Sequence, residues 1–395
     1  MIFRGVVLLT LWLPVTIAGF GQEKTQTVTD GEARQRVELG VKALQQWYDA
    51  QMGLYKTTGW WNSANAITAL TDFMRATGSK QYVSVLANTY KQAQKTIPIE
   101  QRTDPKKELT GFPGFINKYY DDEGWWALAW IDAYDLTHET RYLTMAQSIF
   151  DDMAGGWDGT CSGGIWWSKD RKYKNAIANE LFFSVAAHLT TRISTAEGQT
   201  YADWASKEWQ WFRTSGMING DHLVNDGLVI DAKTGACRNN QRTVWTYNQG
   251  VLIGALTEWA RTGGGADVLT QARQIGDAAV AHFSDKQGVI HEPCEPKCSA
   301  DGIQFKGILM RNLRALNAEA SEPQVQTAFA ANAGAIWTKD RTPSNTFGVV
   351  WSGPPGEPNA GTQSSAIDAL VAAIPAKITG GEALQTKENR PVTLK

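Results

Sequence analysis

Three consecutive acidic residues, Asp121, Asp122 and Glu123, stand directly before two tryptophans in the segment "YYDDEGWWALAWIDAYDLT". Acidic residues are common in the first turn of a helix, where they cap free N–H groups and favour the helix dipole. That explanation leaves the aromatic residues aside. Asp121 and Trp125, and likewise Asp122 and Trp126, are i, i+4 pairs, so each carboxylate is expected one helical turn from an indole. Burial and mutual repulsion would separate the two carboxyl pKa values, as the acid and the nucleophile of glycoside hydrolysis require.

Tryptophan is abundant, with 17 residues in the chain. Trp61 lies at the start of an apolar segment, and Trp167 belongs to a long segment that is rich in glycine and polar residues. An indole packs well against the apolar C–H face of a sugar ring and keeps its N–H free for a hydroxyl group. Most of the other tryptophans are explained by core packing, but the positions of Trp61 and Trp167 predict contact with a carbohydrate.

Six apolar segments with a helical pattern recur along the chain, beginning near residues 61, 121, 175, 246, 303 and 361. Between them lie segments with one apolar face, such as Val37, Val41, Leu44 and Tyr48. Alternation of fully buried and half-buried helices predicts six αα-hairpins. We therefore expect an all-α fold, an (α/α)6 barrel, which forms one catalytic domain over residues 19–395 and ends in a short polar tail.

The connections between these segments are unequal in length. Links that follow an apolar segment are short, whereas the links that precede one are long, as at 97–119, 155–174, 215–245 and 285–302. Long loops in a compact domain usually carry function. They are expected to gather at one rim of the barrel, together with the positive ends of the buried helices, which favour carboxylates there.

The first 18 residues resemble a secretory signal, with Arg4 followed by an apolar stretch and small residues at the cleavage spacing. No later segment has the roughly 18 to 20 apolar residues of a membrane span, and the polar C-terminus lacks the hydrophobic tail of a lipid-anchor signal. The net charge of −2 makes neither nucleic acid nor an anionic membrane a natural partner. We expect a secreted, extracellular monomer without a membrane anchor, cofactor or metal.

Four cysteines in an exported chain indicate two disulfides, for which three connectivities are possible. Cys294 and Cys298 are close enough to close their own loop, which would leave Cys161 to pair with Cys237. A zinc site is the alternative, but only one pair is closely spaced and the expected compartment is oxidising.

The segments "YYDDEGWWALAWIDAYDLT", "GGIWW", "NELFF", "NDGL" and "TYNQGVLIGAL" together resemble glycoside hydrolase family 76, the endo-α-1,6-mannanases with an (α/α)6 fold. The resemblance extends over essentially the whole chain after the signal. It implies a retaining mechanism on α-1,6-linked mannan, in which Asp121 is the nucleophile and Asp122 is the acid/base.

The same resemblance implies that Asp226 contacts the sugar next to the cleaved bond and that Tyr247, Asn248 and Gln249 line the groove. Asp is also an ordinary turn former and Asn an ordinary helix cap, so each position has a structural explanation as well. The further candidates for substrate binding are Trp61, Asn62, Tyr120, Trp126, Trp167, Asn179 and Glu180.

Two alternatives to a secreted mannanase follow from these observations. Fungal members of the family include cell-wall transglycosidases that act on the mannose-containing glycan of lipid anchors, and they share the same motifs. A mannan-binding protein that lacks catalysis is the other alternative, although both aspartates of the motif are present here.

Overall fold

The computed structural model describes residues 28–96 and 110–375. The predicted signal at 1–18, part of the predicted 97–119 loop and the polar C-terminal tail lie outside these ranges. Twelve α-helices make up most of the described structure: α1 Asp30–Leu44, α2 Trp60–Thr77, α3 Val83–Gln92, α4 Tyr120–Thr137, α5 Thr140–Ala154, α6 Ala176–Arg192, α7 Thr195–Phe212, α8 Thr246–Trp259, α9 Ala266–Phe283, α10 Phe305–Glu319, α11 Pro323–Ala335 and α12 Ala360–Ala372. The mostly helical fold predicted from the sequence is confirmed, and the six apolar segments correspond to the even-numbered helices.

Four of the even-numbered helices, α2, α6, α8 and α12, are buried on nearly every side, whereas the odd-numbered helices bury one face. In α12 every residue is buried, while α5 buries only a stripe that includes Tyr142, Ala146, Ile149 and Met153. Each even-numbered helix packs against two others: α2 against α4, α4 against α6, α6 against α8, α8 against α10, and α10 against α12. The sequence of contacts closes because α12 packs against α2.

Two glycines allow the even-numbered helices to approach one another closely. A Cβ atom at Gly124 of α4 would lie 2.7 Å from Cβ of Leu181 on α6. A Cβ atom at Gly250 of α8 would lie 2.7 Å from Cα of Leu309 on α10. A larger residue at either position would therefore push two helices of the core apart.

The long connections precede the even-numbered helices, as the sequence predicts. They cover residues 155–175, 213–245, 284–304 and 336–359, whereas α4 and α5 are separated only by 138–139. Four short strands form two antiparallel pairs, β1 Tyr48–Asp49 with β2 Leu54–Tyr55 and β3 Leu228–Ile230 with β4 Cys237–Asn239.

Two disulfides fasten the long connections. Cys161 is bonded to Cys237 and thereby joins the connection before α6 to the connection before α8, while Cys294 is bonded to Cys298 within the connection before α10. These are the pairs that the close spacing of Cys294 and Cys298 favours. Among the helices that the structure describes, none combines the length and the apolar character of a bilayer-spanning helix.

Candidate active site

A cavity of about 450 Å³ lies where the even-numbered helices begin, and it is called the groove here. Residues at the starts of α2, α4, α8 and α10, and the residue before α6, face it together with loop residues. Its lining consists of Trp61, Tyr119, Asp121, Asp122, Trp125, Trp167, Tyr173, Asn175, Asp226, Tyr247, Asp301 and Phe305. Aromatic rings and carboxylates therefore dominate its surface.

The three acidic residues at the start of α4 divide into two groups. Asp121 and Asp122 line the groove, whereas Glu123 is fully buried and accepts hydrogen bonds from the backbone N–H of Asn117 at 2.9 Å and from Lys169 at 2.9 Å. Glu123 thus holds the chain that enters the helix, which is the structural role expected of an acidic first turn. The other two carboxylates are left free for the groove.

Hydrogen bonds to Asp121 stabilise its charged form and partly offset the effect of burial. The indole Nε1–H of Trp167 donates a hydrogen bond to its Oδ2 at 2.9 Å. Burial raises the pKa of Asp121 to about 7, while the Trp167 hydrogen bond and the backbone N–H groups of the first turn act in the opposite direction. A carboxyl with this pKa is available as an anion near neutral pH.

Asp122 is held in a more strongly proton-retaining environment. Its Oδ2 accepts a hydrogen bond from Nδ2 of Asn117 at 2.7 Å, which by itself favours the anion, but two stronger influences oppose it. Burial raises the pKa of Asp122 well above its ordinary value, and the neighbouring charge of Asp121 raises it further. When Asp121 carries the charge, Asp122 keeps the proton, so the pair can supply a nucleophile and an acid at the same pH.

Asp226 also lines the groove and belongs to a chain of hydrogen-bonded polar groups. The Tyr173 hydroxyl donates to its Oδ2 at 2.5 Å, and Nδ2 of Asn240 donates to the Tyr173 oxygen at 2.8 Å. The backbone carbonyl of Asp226 accepts from the N–H of Ala176 at 2.9 Å, which fixes this loop to the start of α6. The carboxylate can therefore accept a hydrogen bond from a sugar hydroxyl in a fixed position.

The aromatic residues of the groove form two groups. The indoles of Trp61 and Trp125 stack with centroids 5.6 Å apart, near the parallel rings of Tyr247 and Phe305 at 3.8 Å. Tyr119 and Trp167 form the second group, with ring centroids 5.0 Å apart. Such surfaces are suited to the apolar faces of sugar rings.

Six of the predicted site residues line the groove: Trp61, Asp121, Asp122, Trp167, Asp226 and Tyr247. Asn248 and Glu180 are fully buried, and no hydrogen bond from the described residues reaches their side-chain polar atoms. Burial, and secondarily the charge of Asp226, raises the pKa of Glu180 well above its ordinary value. These two residues do not form the groove surface.

Three predicted amides do not line the groove because they bind backbone. Asn179 accepts from the N–H of Ile165 at 2.7 Å and donates to its carbonyl at 3.0 Å. Gln249 makes the same pair of bonds with Val224, at 2.8 and 3.0 Å. Asn62 accepts from the N–H of Gly59 at 3.0 Å. Their positions at the starts of helices serve to fix the long connections.

Two predicted aromatic residues are also placed elsewhere. Trp126 is fully buried and packs against Phe115 at 4.7 Å and Trp130 at 5.6 Å. Tyr120 is buried beneath the Lys169 ammonium group, 5.5 Å from its ring centroid. Trp125, one residue before Trp126, takes the groove position instead.

Six further residues line the groove although their sequence positions did not predict a site role: Tyr119, Trp125, Tyr173, Asn175, Asp301 and Phe305. Signals existed for two of them, because Trp125 is one turn from Asp121 and Tyr119 precedes the acidic segment. Asp301 carries no local signal beyond its place at the end of a long connection. Within residues 28–96 and 110–375, no cluster of three or more His, Cys, Asp or Glu side chains is suited to a metal ion.

Comparison with families of known proteins gives one match that spans most of the chain. The profile of Glycosyl hydrolase family 76 matches residues 34–381. The chain is 26% identical over 359 residues to the mannan endo-1,6-alpha-mannosidase DFG5 of Candida albicans, covering 83% of this chain and 75% of that protein. It is 26% identical over 343 residues to the mannan endo-1,6-alpha-mannosidase DCW1 of Saccharomyces cerevisiae, with 79% and 71% covered.

Several solved structures share the fold, among them two complexes with a bound sugar. One is the α-1,6-mannanase GH76A of Salegentibacter sp. HEL1_6, as an inactive variant with two neighbouring aspartates changed to asparagine, in complex with α-1,6-mannotriose. Its TM-score is 0.74 at 22% identity, with 87% of this chain and 99% of that chain covered. The other is Dfg5 from Chaetomium thermophilum in complex with glucosamine, with a TM-score of 0.74, 20% identity and coverage of 89% and 92%.

Proposed function

The chain belongs to glycosyl hydrolase family 76, and we propose that it is a mannan endo-1,6-α-mannosidase that cleaves α-1,6 bonds within mannan. One observation carries the proposal: Asp121 and Asp122 stand side by side in a groove lined with aromatic rings. The curated relatives with the same activity in their names support it. So does the mannanase of Salegentibacter, which is inactive when two neighbouring aspartates are replaced.

The reaction proposed is a double displacement with retention. The Asp121 carboxylate attacks the anomeric carbon while Asp122 gives its proton to the departing oxygen, so that a glycosyl ester forms on Asp121. Asp122 is then an anion and takes a proton from the water that attacks the ester. The α-configured sugar leaves, Asp121 is again an anion, and Asp122 again carries its proton.

The environments of the two aspartates support this division of roles. Trp167 donates a hydrogen bond to Asp121, which favours the charged nucleophile. Once Asp121 has become a neutral ester, the repulsion that raises the pKa of Asp122 disappears. The pKa of Asp122 is therefore expected to fall at the step at which it must act as a base.

The proposed substrate is α-1,6-linked mannan or a mannooligosaccharide, bound along the groove without a cofactor or a metal. The complex of the Salegentibacter enzyme with α-1,6-mannotriose supports this substrate class. Trp61 and Trp167, both partly exposed, are proposed to stack on mannose rings on either side of the catalytic pair, and Asp226 to accept a hydroxyl hydrogen bond.

We further propose that the twelve helices form an (α/α)6 toroid. The closed sequence of contacts among the even-numbered helices supports this arrangement, as does the convergence of their starts on one groove. Secretion and a monomeric catalytic domain over residues 19–395 are also proposed. Secretion rests on the signal-like residues 1–18, and a single catalytic domain is supported by the family match over residues 34–381.

A cell-wall transglycosidase is the second candidate. Four carboxylates line the groove, and its lining, as far as the described residues form it, includes neither lysine nor arginine. Such a surface suits neutral sugars and also a protonated amino sugar. The glucosamine complex of Dfg5 from Chaetomium thermophilum supports a role for that sugar class in the family. A mannan-binding protein without catalysis is disfavoured because both aspartates are present and placed in the groove.

Product analysis on unbranched α-1,6-mannan distinguishes these candidates. If the protein is a mannanase, it should release short oligosaccharides of mixed length, in similar yield with and without an excess of acceptor sugar. Transfer products that dominate when acceptor is added would favour the transglycosidase. If folded wild-type protein binds mannan but forms no product, the result would favour a mannan-binding protein without catalysis. Asp121→Asn serves as the inactive control.

A further inference from the structure

Asp301 is a groove residue for which the proposed mechanism has no role. It ends the disulfide-closed connection before α10 and lies exposed at the groove, where its Oδ1 accepts a hydrogen bond from the Trp61 indole at 2.9 Å. Among the described residues, Trp61 alone donates to this carboxylate. One of its two oxygens therefore orients the indole, and the other remains available to a ligand.

The Trp61–Asp301 pair joins two helices that are not neighbours. Trp61 belongs to α2, Asp301 precedes α10, and α12 packs between these two helices. The hydrogen bond thus links the start of α2 to the connection before α10 and forms one stretch of the groove wall. An unaided pair of half-exposed side chains would lose much of the energy of this bond to side-chain entropy and to water.

A buried network of amide hydrogen bonds next to the Trp61–Asp301 pair holds the start of α2 against the turn before α10. Nδ2 of Asn62 donates to Oε1 of Gln304 at 2.7 Å, and Nε2 of Gln304 donates to the Asn62 carbonyl at 3.0 Å and to Ser364 at 2.7 Å. The three residues belong to α2, the turn before α10, and α12. Because Asn62 follows Trp61 directly, the network fixes the backbone from which the indole projects.

The loop side of the pair is equally constrained. Gly302, next to Asp301, packs so closely against the Cys294–Cys298 disulfide that a Cβ atom would lie 3.0 Å from Sγ of Cys294. The buried ammonium group of Lys306 bonds Glu295 of the same loop and the carbonyl of Val349 at 2.7 Å. These contacts hold the loop that carries Asp301, so Asp301 is preorganised for binding.

We propose that Asp301 is a substrate-positioning residue, which fixes the Trp61 indole as a stacking surface and accepts a hydroxyl hydrogen bond from the sugar on that surface. This inference rests on the proposed function and adds to it a second carboxylate contact, separate from Asp226. It predicts that the Trp61–Asp301 wall contributes to binding and to chain-length preference and has little part in the bond-breaking step.

Variants at the two positions separate orientation from charge. Asp301→Asn keeps an oxygen that can accept from the indole, Asp301→Ala removes it, and Trp61→Phe keeps a ring but removes the donor. We expect Asp301→Ala to raise KM about three- to tenfold with kcat nearly unchanged, as for the loss of one net hydrogen bond. Asp301→Asn should raise KM by a smaller factor than Asp301→Ala, because its single amide oxygen can still accept from the indole while its NH2 group cannot accept the sugar hydroxyl.

The double variant Trp61→Phe with Asp301→Ala tests whether the residues act together. If they do, its effect should be smaller than the product of the two single effects. Asp221→Ala is the matched control, since Asp221 is an exposed carboxylate of another long connection that does not line the groove. The loss should also be greater for long α-1,6-mannooligosaccharides than for short ones that do not reach this wall.

Binding is measured in parallel by calorimetry, with Asp121→Asn as the background and α-1,6-mannotetraose as the ligand. Weaker binding on introducing Asp301→Ala supports the inference even if the wild type does not cleave mannan, a result that would remove the proposed function alone. Equal affinity with and without Asp301→Ala, or strictly multiplicative effects of the two single variants, overturns the inference. No binding by the background variant, together with no turnover by wild type, overturns both.

Discussion

Trp167→Phe should move the acid limb of the pH profile to higher pH. The substitution keeps an aromatic ring in the groove but removes the Nε1–H that lies 2.9 Å from Oδ2 of Asp121. Burial already raises the pKa of Asp121 to about 7, and the Trp167 hydrogen bond is the leading influence that opposes it. Without the donor, the pKa must rise further, and a larger fraction of the nucleophile is protonated at any acidic pH.

The size of the shift follows from the energy of one hydrogen bond to a charged group. Such bonds contribute about 1.5 to 3 kcal/mol, and one pKa unit corresponds to about 1.4 kcal/mol, so the upper limit is about two units. Trp167 is 37% exposed, and water can replace part of the lost interaction. We therefore expect a shift of about one unit.

The measurement is kcat/KM against pH on a short α-1,6-mannooligosaccharide, since this ratio reports the ionisation of the free enzyme. Tyr119→Phe is the matched control, because Tyr119 lies 5.0 Å from the Trp167 ring and bonds no catalytic carboxylate. Its acid limb should stay in place. An unchanged limb in Trp167→Phe, or one moved to lower pH, would refute the claim that this indole stabilises the ionised nucleophile.

Three further substitutions test other parts of the account. Asp122→Asn should reduce turnover of mannan by about 10²- to 10⁴-fold, but much less on an aryl mannoside whose leaving group needs no proton; equal losses on both would argue against an acid role. Gly124→Ala should lower the free energy of unfolding in urea by about 1 to 3 kcal/mol, because its Cβ would lie 2.7 Å from that of Leu181; unchanged stability would show that α4 and α6 can separate without cost. Lys174→Met leaves the buried carbonyl acceptors of the 155–175 connection without their donor, so urea unfolding should show a loss of about 3 kcal/mol or more, and a smaller loss would mean that this loop is fixed by other contacts.

The helices and the place of Asp121 and Asp122 in the groove could be predicted because their signals are local. Uninterrupted apolar character identified α12 and the other buried helices, and a run of three acids before Trp125 marked the start of α4. Even there, one of the three acids has the ordinary structural role of a helix start. Glu123 fixes the entering chain, while Asp121 and Asp122 face the groove.

The remainder of the groove could not be predicted because it depends on where each helix face points. A helix buried on all sides has no apolar periodicity that separates Trp125 from Trp126, although one residue turns the side chain by about 100°. Asn179 and Gln249 look like groove residues from their places at helix starts, yet loop backbone consumes both amides. Asp301 reaches the groove only through a loop whose path is set by distant contacts.

The stereochemistry of cleavage is the direct test of a retaining mechanism in which Asp121 is the nucleophile. Proton NMR during hydrolysis of unbranched α-1,6-mannan by the wild-type protein shows which anomer of the new reducing end forms before mutarotation. A retaining mechanism predicts that the α-anomer appears first and the β-anomer follows slowly, with no signal from Asp121→Asn. Initial formation of the β-anomer, or the absence of cleavage by folded wild-type protein, would contradict a retaining mannanase in which Asp121 is the nucleophile and Asp122 the acid/base.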